Sequence, residues 1–216
     1  MLKKAETAII CSAGKGSRLG HNIPKPLVEV CGKSLIEWQL KALEGIRNVI
    51  VVVGYKKEYV IDEILSHRDS VTIVVNRNWE TTNTAYSLSL ACELVEGPVL
   101  TIDGDTIFDR AQIEKIIRHE KVIGVTKPMS EEGVFVKIHK DKTVEEFTRL
   151  VNTGYEWTGM SVMPSHIYRG RQNCFVYQII EKNFPVFTEF IDLVEIDTPS
   201  DLNYAAKWIN KLSKSK

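Results

Sequence analysis

Residues 49–54 read VIVVVG, a run with no polar residue and no alternation. A strand of this kind has to be covered on both faces, so the chain must lay material on either side of a sheet. Comparable apolar runs occur at 7–11 (TAIIC), 71–75 (VTIVV), 98–102 (PVLTI) and 121–126 (KVIGVT). Between them lie helical patterns. LIEWQLKALEG (35–45) ends on Gly45, a residue suited to a helix C-terminus. EYVIDEILSH (58–67) and AQIEKIIRHE (111–120) are two more. NTAYSLSLACELV (83–95) puts Ala85, Leu88, Cys92 and Val95 on one side. The order βαβαβαβαβ predicts an α/β fold, a mainly parallel sheet flanked by helices on both faces. Ligands of such sheets bind outside the carboxyl ends of the strands.

Past about residue 127 the pattern changes. GVFVKI (133–138), TVEEFTRL (143–150), YEWTGMSVM (155–163) and FTEFIDLVEI (187–196) read as short strands of mixed character, which makes the sheet a mixed one. A last helix follows, with Thr198 as cap, Pro199 at the first helical position and Asp201 three residues after the cap. Leu202, Ala205, Ala206, Ile209 and Leu212 form its apolar stripe. No repeat or linker interrupts the chain, so residues 1–212 are expected to form a single domain, with 213–216 (SKSK) as a frayed, solvated tail.

The charge balance is even, with 28 basic and 28 acidic residues among 216. That argues against nucleic acid as a partner, which calls for a basic surplus. No apolar run reaches the 18 residues of a membrane span, and MLKKAETAIICSAG lacks the pattern of a signal peptide. Cys11, Cys31, Cys92 and Cys174 include no CxxC pair, and reduced thiols in a cytoplasmic protein are the expectation. The five histidines show no metal-ligand spacing.

The first apolar run leads into CSAGKGSRLGHNIPKPL (11–27), dense in small and cationic residues. Small residues let backbone approach a ligand, and backbone N–H groups at Gly14, Lys15 and Gly16 can cradle an anion. Two familiar phosphate loops do not fit. GxGxxG would need glycine at 19, where Leu19 stands. GxxxxGK[ST], suggested by Gly32-Lys33-Ser34, would need glycine at 27, where Leu27 stands. CGKS reads instead as a tight turn before a helix that Ser34 caps. Further on, TIDGDTIFD places Asp103 and Asp105 at the carboxyl end of a strand. Asp-x-Asp can hold a hard divalent cation, and Asp-Gly is equally a turn dipeptide. Asp197 sits between a strand and the last helix, where it can simply favour the helix dipole.

SAGKGSRLG followed by IPKPLVEV resembles the signature loop of nucleotidyltransferases that make activated sugars and alcohols, the nucleoside-diphosphate-sugar pyrophosphorylases. The short gap from Gly20 to Pro24 is similar to that of cytidylyltransferases of alcohol phosphates. Tyr86-Ser87-Leu88 in NTAYSL looks like bacterial choline-phosphate and inositol-phosphate cytidylyltransferases. Family members usually begin Leu-Ala-Ala-Gly, whereas this chain has Cys11-Ser12-Ala13-Gly14. The resemblance covers nearly the whole chain and implies a Rossmann-like nucleotidyltransferase domain. It implies that Ser12, Ala13, Gly14, Lys15, Gly16 and Ser17 wrap a nucleoside triphosphate, with Arg18 and Lys25 neutralising it. It further implies that Asp105 and Asp197 hold Mg2+ with Asp103 as helper. Thr82, Asn83, Thr84 and Ser87, otherwise ordinary helix-start residues, would lie near the base, with CTP favoured.

The implied reaction is attack of a phosphate monoester on the α-phosphorus, with pyrophosphate leaving. The acceptor would be a choline phosphate-like or polyol phosphate. A sugar-1-phosphate uridylyl- or thymidylyltransferase, a metal-dependent glycosyltransferase of related fold and a non-catalytic relative remain open alternatives. The oligomeric state is not fixed, with a homodimer as one open arrangement.

Overall fold

The computed structural model describes residues 4–16, 19, 22–170 and 174–214. The chain enters on β1 (Thr7–Ser12) and passes through a glycine-rich loop and a 3-10 turn, Lys25–Leu27. It then makes a small hairpin, β2 (Glu29–Val30) and β3 (Lys33–Ser34). Its two turn residues, Cys31 (φ 53°) and Gly32 (φ 75°), are both left-handed, as a two-residue hairpin turn requires. The expected cap follows: Ser34 Oγ accepts the Glu37 N–H at 3.1 Å and starts α1 (Leu35–Ala42). That helix ends three residues earlier than the Gly45 signal suggested.

Next come β4 (Asn48–Val53), α2 (Lys57–His67), β5 (Thr72–Val75), α3 (Thr84–Cys92), β6 (Pro98–Asp103), β7 (Thr106–Phe108), α4 (Arg110–Ile116) and β8 (Val122–Thr126). The second half contains β9 (Phe135–Ile138), β10 (Val144–Thr148), β11 (Glu156–Pro164), α5 (Val176–Glu181), β12 (Phe187–Phe190), β13 (Leu193–Glu195) and α6 (Pro199–Lys214). Ser213 and Lys214, read as tail from the sequence, continue α6.

The parallel core is β6-β1-β4-β5 within a nine-stranded mixed sheet. β8 does not extend that parallel set. β11 is inserted between β6 and β8 and runs antiparallel to both. The expected strand 187–196 is two strands in different sheets. β12 pairs with β8, and after a break at Ile191–Asp192, β13 pairs with β7. The sequence reading gave no element to β7 or to α5. β7 follows a turn so closely that three residues carry no periodicity, and α5 is only six residues long.

Alternate residues of the central strands feed opposite cores. Ile10, Val51 and Ile102 pack with α1, α2 and α4. Ile9, Val52 and Val99 pack with α3 and α5. Full burial of a valine or isoleucine side chain contributes about 1.5–3 kcal/mol, and this two-sided covering is what the unbroken apolar runs required. A third cluster seats α6, through Ala205 and Ile209, on the β2–β3 hairpin and on Ile107 and Val194 of the β7–β13 ribbon.

Candidate active site

The carboxyl ends of β1 and β6 lie side by side, with Gly104 N–H bonded to the Cys11 carbonyl at 3.0 Å. Beyond β1 the chain turns through Ala13, Gly14, Lys15 and Gly16. Ala13 is buried and its carbonyl accepts the Tyr55 N–H at 2.9 Å, whereas Gly14 and Lys15 are exposed. Gly16 has φ +65°, and a Cβ there would stand 2.6 Å from Lys25 Cβ. Its missing side chain lets the loop close over the Lys25 stem. Ser17 and Arg18 lie outside the described residues.

Beneath this loop Lys25 reaches into a cluster of acids. Its Nζ donates to Asp105 Oδ2 at 2.9 Å and to Asp197 Oδ1 at 2.5 Å. Burial pulls the ammonium pKa down, but Asp105 and Asp197 outweigh it and the net shift is upward. Asp105 and Asp197, 92 positions apart, meet through the β7–β13 ribbon. Thr106 pairs with Glu195, and the Ile196 N–H bonds the Asp105 carbonyl at 2.9 Å. Asp201 fixes the other side, its Oδ2 accepting the N–H groups of Asp197 (2.9 Å) and Thr198 (2.7 Å).

The structure thus brings together the two aspartates singled out in the sequence and adds Glu195. One carboxylate oxygen from each of Asp105, Glu195 and Asp197 lies within 4.8 Å of the others. Glu195 was missed by sequence reasoning, although strand alternation puts it on the same face as Asp197. Burial, then the charges of Asp105 and Asp197, push the Glu195 carboxyl up to about 9. Asp103 is pushed up to about 8, first by burial and then by Asp105. Its carboxylate lies against Gly159 (φ +73°), where a Cβ would come within 2.1 Å of Asp103 Oδ2.

An all-oxygen set of this kind suits a hard divalent cation. The Lys25 ammonium already occupies the space between two of its members, so a cation can be held here. The residues present fit Mg2+.

Beside the cluster opens a cleft of about 880 Å³, whose lining includes Asp105, Asp197, Trp157, Glu156, Arg149 and Tyr204. The segment 128–134 forms one wall. Glu156, only 3% exposed, accepts from Met129 N, Ser130 N and Ser130 Oγ and so ties that wall to β11. Arg149 donates to the Glu132 carbonyl and sits 5.9 Å from the Phe175 ring.

The residues expected near a base are placed differently from one another. Ala85, directly inside α3, and Ala13 belong to the same buried hydrophobic cluster. Asn83 caps α3 through Tyr86 N and donates to the Cys174 carbonyl at 2.7 Å. Ser87 is buried, its Oγ accepting from Asn76 Nδ2 at 3.0 Å, and Thr82 Oγ1 accepts from the same amide at 2.9 Å. Thr84 is exposed. Among the described residues, no helix is long and apolar enough to cross a membrane, and the four cysteines are free thiols.

Known proteins resemble this chain in sequence and in fold. The bifunctional protein GlmU of Methanococcus vannielii is 26% identical over 207 residues, covering 87% of this chain and 46% of that protein. The bifunctional IPC transferase and DIPP synthase of Aquifex aeolicus is 26% identical over 232 residues, covering 95% of this chain and 52% of that protein. The chain thus spans about half the length of these curated relatives. Among solved structures, the inositol-1-phosphate CTP transferase from T. maritima superposes with a TM-score of 0.81 at 21% identity, covering 98% of this chain and 97% of its own. The CTP:phosphocholine cytidylyltransferase from Streptococcus pneumoniae gives 0.79 at 23% identity, with coverages of 96% and 100%. These two share the fold, a Rossmann-like mixed sheet. The model of the MobA-like NTP transferase domain matches residues 8–158, well over half the chain, and the protein belongs to that family.

Proposed function

We propose that this nucleotidyltransferase transfers a cytidylyl group from CTP to a small phosphate monoester of the choline phosphate or polyol phosphate kind, releasing pyrophosphate. The observation that carries the reading is Lys25. One side chain joins the glycine-rich loop after β1 to the Asp105–Glu195–Asp197 cluster at the mouth of the cleft. A triphosphate laid on the loop backbone at the exposed Gly14 and Lys15 would therefore have its α-phosphorus near both a cation and a carboxylate-held metal. Arg18 would add a second cation, as the family resemblance implies.

Bound Mg2+ would neutralise charge on the phosphate oxygens, held by Asp105 and Asp197 with Glu195 beside them. The chain's own residues do the rest by position and charge. An acceptor phosphate has a second pKa of about 6, so at pH 7 it is already an anionic nucleophile and needs no general base. Lys25 would stay with the developing charge as the bond to pyrophosphate breaks.

The preference for CTP draws support from the likeness to two CTP-using structures and from the buried cluster that Ala13 shares with Ala85 of α3. Because Ser87 and Asn83 are engaged within the fold, discrimination of the base would fall largely to the backbone of Ala13 and Gly14. A mispaired base edge leaves a buried polar group unsatisfied, a cost of about 1–3 kcal/mol, so CTP should exceed UTP by roughly ten- to hundredfold. On the acceptor side, carboxylates and the rings of Trp157 and Tyr204 favour an amino-alcohol or polyol phosphate over a hexose 1-phosphate. The test is pyrophosphate release across four nucleoside triphosphates and a panel of phosphate monoesters. CTP with an alcohol phosphate should lead. Glucose 1-phosphate with UTP or dTTP as the best pair would overturn the assignment in favour of a sugar pyrophosphorylase.

A further inference from the structure

Gln39 stands on the buried face of α1 between Leu35, Ile36 and Leu40, with no exposed surface. A polar residue in an apolar stripe has to answer for its hydrogen bonds. Its Nε2 donates to the carbonyl of Asp103 and to the carbonyl of Thr106, both at 2.9 Å. These are the two ends of the turn that carries Asp105. The neighbours fix the orientation of the amide, since exchanging its O and N would set three oxygens against one another. The other end of the amide is left without a partner: Gln39 Oε1 is buried and makes no hydrogen bond. An unpaired buried acceptor costs free energy. A leucine or methionine would avoid that cost, and what the chain obtains in exchange is a double clamp on one turn.

We propose that Gln39 is a positioning residue for the cation site, holding the 103–106 turn so that Asp105 faces Asp197 and Glu195. The Thr106 hydroxyl, which also donates to the Asp103 carbonyl at 3.1 Å, is the only other side-chain donor to that turn's carbonyls among the described residues. On the far side, the turn is tied by the Ile196 N–H to the Asp105 carbonyl. The amide therefore sets one wall of the site from a helix that contributes no ligand to it. A purely structural amide would fill the same space and lower stability on removal, yet leave cation affinity unchanged. The proposal rests on the reading of the acidic cluster as a Mg2+ site.

The experiment uses the full chain and Mg2+ as the probe. Q39M keeps length and volume and removes both donors. Q39E keeps the shape, and its carboxyl can replace at most one donor. Two titrations are run for each: the Mg2+-induced rise in Tm of the protein without nucleotide, and the Mg2+ dependence of pyrophosphate release. Loss of both hydrogen bonds, each of ordinary strength, should raise the half-saturating Mg2+ of Q39M by about fivefold or more in both readouts, with a smaller change in KM for CTP at saturating Mg2+. Q39E should fall between Q39M and wild type. A lowered Tm with unchanged half-saturating Mg2+ in either folded variant overturns the proposal, as does a wild-type protein whose Tm ignores Mg2+. If the wild type responds to Mg2+ in Tm but releases pyrophosphate with no substrate pair, the functional reading fails and the Tm titration alone decides the role of Gln39.

Discussion

Replacing Lys25 with methionine removes the one cation seen inside the acidic cluster among the described residues and keeps most of the side-chain volume. The ammonium is paired with Asp105 and Asp197, and the three side chains are 12%, 23% and 18% exposed. Removing one partner of a buried ion pair destabilises by about 3–5 kcal/mol; the residual exposure puts this case at the lower end, about 3 kcal/mol. At roughly 2–4 °C per kcal/mol for a chain of this size, Tm in EDTA should fall by roughly 6–12 °C. Asp105 and Asp197 would then lose the ammonium between them, so Mg2+, no longer competing with it, should bind K25M more tightly than wild type and restore more than half of the loss. Activity should not follow stability. With the loop-to-cluster bridge gone, kcat/KM should fall on the order of 10²–10³ even at saturating Mg2+. Differential scanning calorimetry in EDTA and in Mg2+, beside a pyrophosphate-release assay, reads all three quantities. An equal Tm deficit in EDTA and Mg2+, or a kcat/KM close to wild type, would refute the idea that Lys25 both neutralises the cluster and serves the reaction.

G159A forces a Cβ to within 2.1 Å of Asp103 Oδ2 at φ +73°; a left-handed backbone alone costs about 1–2 kcal/mol, so a Tm drop should be accompanied by loss of turnover, and retained turnover would show that the Asp103 position is not needed. Asp103 and Glu195 have folded-state pKa values of about 8 and about 9, above the unfolded values near ~4. The protonated forms therefore stabilise the fold. In EDTA that contribution should be complete below pH ~4 and fade as pH rises towards 8–9; urea midpoints measured across that window should decline, and Mg2+ should flatten the decline. E156Q weakens the anchor of the 128–134 wall at Met129 and Ser130; KM for the acceptor should rise by about fivefold or more, from the loss of an ordinary hydrogen bond or two, while KM for CTP stays near wild type in the same steady-state assay.

Much of the scaffold was legible in the sequence because it depends on local pattern. Uninterrupted apolar runs marked β1, β4 and β6, and Ser34, Asn83 and the Thr198–Asp201 stretch announced helix starts where caps are found. Asp105 could be placed at a strand end by the same means. What local pattern does not carry is pairing at a distance. The insertion of β11 between β6 and β8 and the β7–β13 ribbon join residues far apart in the chain. Glu195 meets the aspartates only through that ribbon. Gln39 and Glu156 acquire their partners 64–67 and 26–27 positions away, and each looked from sequence like an ordinary polar residue on a helix or strand. Ser87 shows the converse: its place in a family-like motif suggested a ligand contact, while its hydroxyl is bonded to a buried asparagine.

The β7–β13 ribbon has a consequence for how the protein opens as well as for where its acids meet. Three residue pairs join β13 to β7, and α6 begins shortly after it at Pro199. A cation gripped by Asp105 on one side and by Glu195 and Asp197 on the other acts as a rivet across that short seam. The last segment of the chain can then detach only by giving up the ion. At a cation concentration about 100-fold above its Kd, the free energy of such a detachment rises by about 2.7 kcal/mol. Amide hydrogens of β13 and the first turns of α6 should then exchange about a hundredfold more slowly, while those of β4 and β5, remote from the seam, keep their rates. Amide exchange along the C-terminal segment thereby becomes a gauge of site occupancy that needs no substrate.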